Sequence, residues 1–184
     1  FLYGEQAPEP LLVTENGVQF ATYLNEGLMT GIFLDQKEVR GRLVDGFAVG
    51  KTVLNMFSYT GAFSVAAAMG GAVATTSVDL AKRSLPKTTE QFEVNHLNLA
   101  AQKIIVMDVF DYFKYASRKG LSYDMIILDP PSFARNKKKV FSVAKNYGEL
   151  VKDSIDILTD KGTLIASTNA ANLSLAKYQK MVIT

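Results

Sequence analysis

The chain has 184 residues, 48% of them hydrophobic, which suits one α/β domain with a small N-terminal attachment and excludes a disordered tail. It has no cysteine and only one histidine, His96, so within these residues disulfides, cysteine nucleophiles and cysteine or multi-histidine metal sites are excluded, as fits a reducing cytoplasm. The formal net charge of +2 is too small to indicate a polyanion by itself, and no apolar stretch reaches the roughly 20 residues of a membrane span.

The first 50 residues are predicted to form a small β-containing element. Residues 11–14 and 18–23 are strand-like and flank Asn16-Gly17, and Asn-Gly is the strongest short signal for a β-hairpin. A helix is then predicted from about residue 36 to residue 44, before Gly46. We expect the domain boundary at residue 50.

From residue 52 the pattern changes to short apolar runs that alternate with helical segments. The β-rich runs are residues 52–56, 72–78, 103–107, 125–128 and 163–167. Helices are predicted at 62–69, 81–95, 109–118 and about 143–158, with Ser174 as the cap of one more and Pro86 as a kink or late start in the second. Residues 51–184 are therefore predicted to form a doubly wound, mostly parallel sheet with helices on both faces.

Candidate functional residues follow the strands, because ligands of open α/β sheets bind beyond the carboxyl ends of the strands. After the first run comes a loop of small, hydroxyl and aromatic residues, in which backbone amides can approach a ligand. An ordinary turn explains the loop equally well, since one glycine is not a three-glycine dinucleotide motif. The loop consists of Phe57, Ser58, Tyr59, Thr60 and Gly61.

Two aspartates follow the next two runs. Asp79 stands 18 residues after Gly61, where a carboxylate can accept two ribose hydroxyls, and capping of the helix at 81–95 is the alternative. Asp108 could accept the amine of an adenine ring covered by its apolar neighbours, with helix capping an equal alternative.

The fourth run ends in Asp129-Pro130-Pro131-Ser132-Phe133, the most specific feature of the chain. Consecutive prolines leave carbonyl oxygens free as acceptors, so an acid, a rigid carbonyl and the Phe133 ring could hold a planar base by its edge and face. Asp129, Pro130 and Phe133 are thus the candidate catalytic residues. The alternative is a loop that merely ends a buried strand.

A basic segment comes next. Residues 132–147 contain five lysines or arginines and no acid, a pattern that favours contact with a phosphate backbone, although a solvated lysine run is the alternative. The candidate RNA-binding residues are Arg135, Lys137, Lys138 and Lys139.

In this combination and order, the motifs resemble class I S-adenosylmethionine-dependent methyltransferases, which have a Rossmann-like fold. The resemblance narrows to the PUA-containing group that is similar to ribosomal RNA large-subunit methyltransferase I, and it covers the chain from about Leu11 onward. It rests on residues 31–37, 54–61, 77–79, 108–110 and 128–133.

The resemblance implies roles for these residues. The loop at 57–61 would surround the methionine part of S-adenosylmethionine, Asp79 would bind the ribose, Asp108 the adenine, and Asp129 the cofactor amine or the target base. Residues 1–50 would match a linker domain, and the lack of a PUA module and of a final β-hairpin leads us to expect a fragment of a longer protein. The resemblance implies a cytoplasmic enzyme that methylates 23S ribosomal RNA and binds neither a metal ion nor a membrane. It is compatible with a homodimer but does not require one.

Two departures from the family limit this transfer. Cytosine C5 methylation needs a cysteine nucleophile, and residues 166–172, where the founding members carry it, contain none. Lys37 also replaces the usual Arg of the first motif, which keeps the charge but not the fork geometry. We therefore expect a nitrogen target, or a carbon target served by a nucleophile outside these residues. The alternatives are a small-molecule or protein methyltransferase and a non-catalytic RNA-binding domain.

Overall fold

The computed structural model describes residues 4–27, 30–136, 139–171 and 173–183. It begins with the predicted hairpin, in which β1 (Leu11–Glu15) pairs antiparallel with β2 (Val18–Thr22). Asn16 and Gly17 both have positive φ, 52° and 76°, as a two-residue turn between right-twisted strands requires.

A short helix, α1 (Lys37–Arg42), follows a single 3-10 turn at Leu34–Gln36. Arg40 of α1 is buried, and its guanidinium forms a two-pronged ion pair with Glu15 at 2.7 and 3.0 Å. The same guanidinium donates to the carbonyl oxygen of Phe33 at 2.8 Å. A buried charge is tolerated when it is paired in this way, so Arg40 joins the hairpin, the 3-10 turn and α1 into one element.

The remainder of the chain forms a five-stranded sheet in which all neighbouring strands are parallel, in the order β5-β4-β3-β6-β9. The strands after the hairpin are β3 (Thr52–Met56), β4 (Ala74–Asp79), β5 (Gln102–Val106), β6 (Tyr123–Leu128), β7 (Phe133–Asn136), β8 (Lys139–Ser142) and β9 (Leu158–Ala166). The helices are α2 (Ala62–Met69), α3 (Ser84–Glu93), α4 (Val109–Arg118), α5 (Val143–Ile155) and α6 (Leu175–Val182).

Helices cover both faces of the sheet, because successive residues of its central strands point to opposite sides. Ile126 and Leu128 of β6 pack in one core with residues of α4 and α5, whereas Met125 and Ile127 pack with α2 on the other face. The predicted doubly wound parallel sheet is confirmed. Helix α3 starts late, at Ser84, because Pro86 fits only within a first turn, where its missing N–H is not needed.

One element was not predicted. The basic segment after the Asp-Pro-Pro motif contains an antiparallel hairpin of two four-residue strands, β7 and β8, rather than an irregular loop. Runs this short carry too little alternation between polar and apolar residues to indicate strands.

The N-terminal hairpin is attached to α3 by side-chain amides. The Gln91 amide accepts from the backbone N–H of Ala21 and donates to its C=O, both at 2.8 Å. The Asn95 amide does the same for Gln19, at 2.9 and 2.7 Å. The two side chains thus occupy the edge of β2 as a third strand would, and they attach the N-terminal hairpin to α3 and the turn that follows it.

Candidate active site

A cavity of about 620 Å³ opens at the carboxyl ends of the parallel strands. Its volume lies within the range of small-molecule and cofactor sites. Asp79, Asp108 and Asp129, which follow three different strands, all line it, together with Pro130 and Pro131. The structure therefore brings together the three carboxylates that the sequence placed after successive strands.

The loop after β3 has an unusual backbone. Phe57, Tyr59 and Gly61 have φ of 58°, 52° and 78°, and aromatic residues seldom adopt this left-handed conformation. Gly61 is required twice over, because an added Cβ would also lie 2.5 Å from Cγ2 of Thr88. Phe57 and Tyr59 line the large cavity, whereas Gly61 shapes the turn without lining it.

Asp79 holds this loop in place. Its Oδ2 accepts from the backbone N–H of Tyr59 at 2.9 Å, and its Oδ1 accepts from that of Ala81 at 2.8 Å. It caps the turn in front of α3 rather than α3 itself, whose N-cap is Arg83. Each carboxylate oxygen has a second lone pair, so Asp79 can accept further hydrogen bonds from a ligand in the cavity.

Asp108 is the N-cap of α4, as one of the two sequence interpretations predicted. Its Oδ1 accepts from the backbone N–H groups of Phe110 at 3.0 Å and Asp111 at 3.4 Å. No donor from the described residues binds its Oδ2. Capping therefore occupies one oxygen and leaves the other for a ligand.

Asp129 is held by two side chains that the sequence analysis did not single out. The Ser167 hydroxyl donates to its Oδ1 at 2.5 Å, and Nε2 of Gln36 donates to the same oxygen at 3.4 Å. Burial raises the pKa of the Asp129 carboxyl; the Ser167 hydrogen bond opposes this rise, and the nearby charge of Asp35 adds to it. Among the described residues, nothing donates to Oδ2, which is available to a ligand.

Aromatic side chains form much of the cavity wall. The Phe141 ring, from β8, contacts the rings of Phe57 and Phe110, with centroids 5.5 and 6.2 Å apart. All three rings line the cavity, so the unpredicted hairpin supplies part of the wall. Phe133, the predicted stacking residue, does not line the cavity, and 61% of its surface is exposed. Its role stays a prediction.

A smaller cavity of about 60 Å³ shares Phe57, Tyr59 and Asp129 with the large one. Ser58 and Thr60 line it, and the buried Ser58 hydroxyl has no hydrogen-bond partner in the described part of the chain. Buried hydroxyls are nearly always paired, so a polar group of a ligand or a water is expected here.

The basic segment is only partly described. Arg135 lies in β7 and Lys139 begins β8, while Lys137 and Lys138 lie outside the described residues. The hairpin of β7 and β8 lies beside the cavity, because Phe141 of β8 lines the cavity. The contact of the basic residues with RNA stays a prediction.

The described part of the chain shows no membrane-spanning helix and no metal-binding cluster. No helix there is long and apolar enough to cross a membrane. No group of three or more His, Cys, Asp or Glu side chains in that part of the chain could hold a metal ion.

Comparison with known proteins gives a consistent result. Residues 1–177 match the family described as S-adenosylmethionine-dependent methyltransferase. YwbD of Bacillus subtilis, provisionally named a ribosomal RNA large subunit methyltransferase, is 58% identical over 99% of this chain and 46% of its own length. The ribosomal RNA large subunit methyltransferase of Deinococcus radiodurans is 35% identical over 100% of this chain and 45% of its own length.

A solved structure matches equally well. The crystal structure of a provisionally assigned methyltransferase in complex with SAH is 61% identical and has a TM-score of 0.95, over 98% of this chain and 47% of that one. The chain therefore spans about half the length of the curated relatives that it matches.

Proposed function

Because this chain belongs to the S-adenosylmethionine-dependent methyltransferase family, we propose that it transfers a methyl group to a base of large-subunit ribosomal RNA. This membership confirms the predicted S-adenosylmethionine-dependent methyltransferase family and its cofactor. The observation that carries the proposal is the convergence of Asp79, Asp108 and Asp129 on one cavity of about 620 Å³. The names of the relatives, about half of whose length this chain matches, support ribosomal RNA as the substrate.

The residues of the cavity fit S-adenosylmethionine. Asp79 would accept the two ribose hydroxyls with lone pairs that the backbone amides leave unused. The free Oδ2 of Asp108 would accept the adenine amine, and Phe110 would cover the ring. The unpaired Ser58 hydroxyl and the small cavity that Asp129 also lines suit the polar amino-acid end.

S-adenosylmethionine supplies, when bound, a methyl group on a positively charged sulfur that is already electrophilic, so the protein needs mainly to position the base and exclude water. Asp129 and the Pro130 carbonyl, with Asn169 on the same wall, offer acceptors for the N–H groups of a base. A ring nitrogen needs no general base, and an exocyclic amine would be oriented by these acceptors. A carbon target would need a nucleophile from outside these residues, because the chain has no cysteine.

The basic hairpin would hold the RNA beside the cavity. Arg135, Lys137, Lys138 and Lys139 are the proposed phosphate contacts. If they bind phosphates, the affinity for RNA falls steeply with salt, and each neutralised lysine reduces the slope of log K against log [salt] by about 0.7–0.9. Neutral substitutions of the four residues that leave the salt dependence of RNA binding unchanged would show that these side chains belong to a solvated surface.

The experiment that tests the function uses the full-length protein, methyl-labelled S-adenosylmethionine and ribosomal RNA from cells that lack the protein. We expect label in large-subunit RNA with the wild-type protein and none with Asp129→Ala. Absence of transfer by the wild-type protein would refute the proposal. Transfer to a protein or a small molecule instead would favour another substrate for the same fold.

A further inference from the structure

The 3-10 turn at Leu34–Gln36 belongs to the N-terminal element, yet its residues reach the candidate active site. Asp35 lines the large cavity together with Asp129, and Gln36 donates to the Asp129 carboxylate. Building on the proposed function, we propose that Asp35 is a second carboxylate of the substrate site, which contacts the target base and stabilises the positive charge that its ring nitrogen acquires on methylation.

The backbone segment that leads into Asp35 is held by hydrogen bonds from two other parts of the chain. Arg40 binds the carbonyl oxygen of Phe33, two residues before Asp35, at 2.8 Å. The backbone N–H of Gly31 donates to the Tyr59 hydroxyl at 2.9 Å, and the Thr60 hydroxyl donates to the Gly31 carbonyl at 2.5 Å. The segment that carries Asp35 is therefore bonded to the same loop that is expected to surround the cofactor.

Asp35 and Asp129 place two carboxylates on the cavity wall, and Arg40, whose positive charge also acts on Asp129, is already paired with Glu15. No described residue donates a hydrogen bond to Asp35 or forms an ion pair with it. Its negative charge acts on Asp129 strongly enough to contribute to the raised pKa of that carboxyl. Two carboxylates that repel each other are stabilised when a cation or a group of N–H donors lies between them.

The buried Ser58 hydroxyl is an independent sign that a polar ligand completes this end of the site. It is 7% exposed, has no partner in the described part of the chain and lines the small cavity that Phe33 and Asp129 also line. Asp129 lines both cavities, so it connects the region that Asp35 lines with the region that Ser58 lines.

The charge balance of the reaction explains why carboxylates suit this position. The lone pair of the ring nitrogen forms the new N–C bond, and the electron pair of the broken C–S bond stays on sulfur. The positive charge therefore moves from sulfur to the base, and no proton has to leave. A carboxylate beside the base stabilises this charge as it develops in the transition state.

Asp35→Asn and the matched control Glu38→Gln test the inference in the full-length protein. Glu38 is exposed in α1, three residues away and outside the cavity lining, so both variants remove one negative charge from the same segment. We expect Asp35→Asn to lower kcat for ribosomal RNA on the order of 10- to 100-fold, since fixed charges near a developing charge have effects of this size. Glu38→Gln should retain kcat within about twofold, as surface substitutions usually do.

Calorimetric titration with S-adenosylhomocysteine separates a substrate role from a cofactor role. The inference expects the affinity of Asp35→Asn to stay within about twofold of wild type. A kcat that does not change would overturn it, and so would an affinity that falls in step with kcat, because Asp35 would then serve the cofactor. A wild-type protein that binds S-adenosylhomocysteine but methylates no RNA would overturn the proposed function and this inference together.

Discussion

Replacing Asp79 by Asn tests the cofactor half of the site most sharply. Both carboxylate oxygens of Asp79 already accept a backbone N–H, from Tyr59 at 2.9 Å and from Ala81 at 2.8 Å. An Asn side chain has one oxygen and one NH2 group, so whichever way it turns, one backbone donor faces another donor. The substitution therefore disturbs the loop even before a ligand binds.

Two magnitudes follow from this geometry. One unsatisfied backbone N–H in a partly buried position costs about 1–3 kcal/mol of unfolding free energy without ligand. Loss of a hydrogen bond from a ribose hydroxyl to a charged acceptor costs a further 1.5–3 kcal/mol or so of binding free energy, about a 10- to 150-fold weaker affinity. Asp79→Ala should weaken binding more, because it removes both acceptors.

The assay combines calorimetric titration of S-adenosylhomocysteine with chemical denaturation of the ligand-free protein. Asp45→Asn is the matched control, since Asp45 is exposed, lies outside the cavity and loses the same charge. The control should change neither quantity by more than about 0.5 kcal/mol. An Asp79→Asn protein with wild-type affinity and wild-type stability would refute the reasoning about this residue.

Three further substitutions test other parts of the account. Asp129→Asn should abolish methylation and stabilise the protein at high pH, because burial raises the pKa of Asp129 and the folded state therefore loses stability as pH rises through that pKa. Chemical denaturation at about pH 8, where ordinary and moderately raised carboxyl groups are ionised, would contradict this if the variant were less stable than wild type. Gly61→Ala should cost about 1–3 kcal/mol in the same assay, because it combines positive φ with a clash against Thr88, and a neutral effect would count against the loop geometry. Gln91→Leu should cost about 2–6 kcal/mol, since it leaves both backbone groups of Ala21 unpaired, and a loss below about 0.5 kcal/mol would show that the hairpin does not depend on this amide.

The elements that local chemistry specifies could be predicted from the sequence. The bounds of β3, α2 and α4 agree with the prediction, and Asn16-Gly17 forms the turn expected of it. In each case the signal lies within a few residues: an apolar run, a capping residue or a pair of residues that tolerate positive φ. The convergence of the three aspartates could also be predicted, because the carboxyl ends of parallel strands lie at one edge of the sheet.

What the sequence did not indicate depends on residues that are far apart in the chain. Gln36 and Asp129 are 93 positions apart, and Ser167 reaches Asp129 across 38. No short-range sequence pattern links residues this far apart. Only the topology of the folded chain brings their side chains together. The place of Phe141 in the cavity wall could not be predicted either, because it depends on a hairpin whose strands are too short to be indicated by the sequence.

Mass spectrometry of ribosomal RNA nucleosides tests the central claim most directly, that the cavity around the three aspartates methylates a base of this RNA. Three strains would be compared: one with the intact gene, one in which the gene is deleted, and a deletion strain that expresses the full-length Asp129→Asn protein. We predict that one methylated nucleoside of large-subunit RNA disappears on deletion, returns with the wild-type protein and does not return with the variant. Identical nucleoside profiles in all three strains would contradict the account.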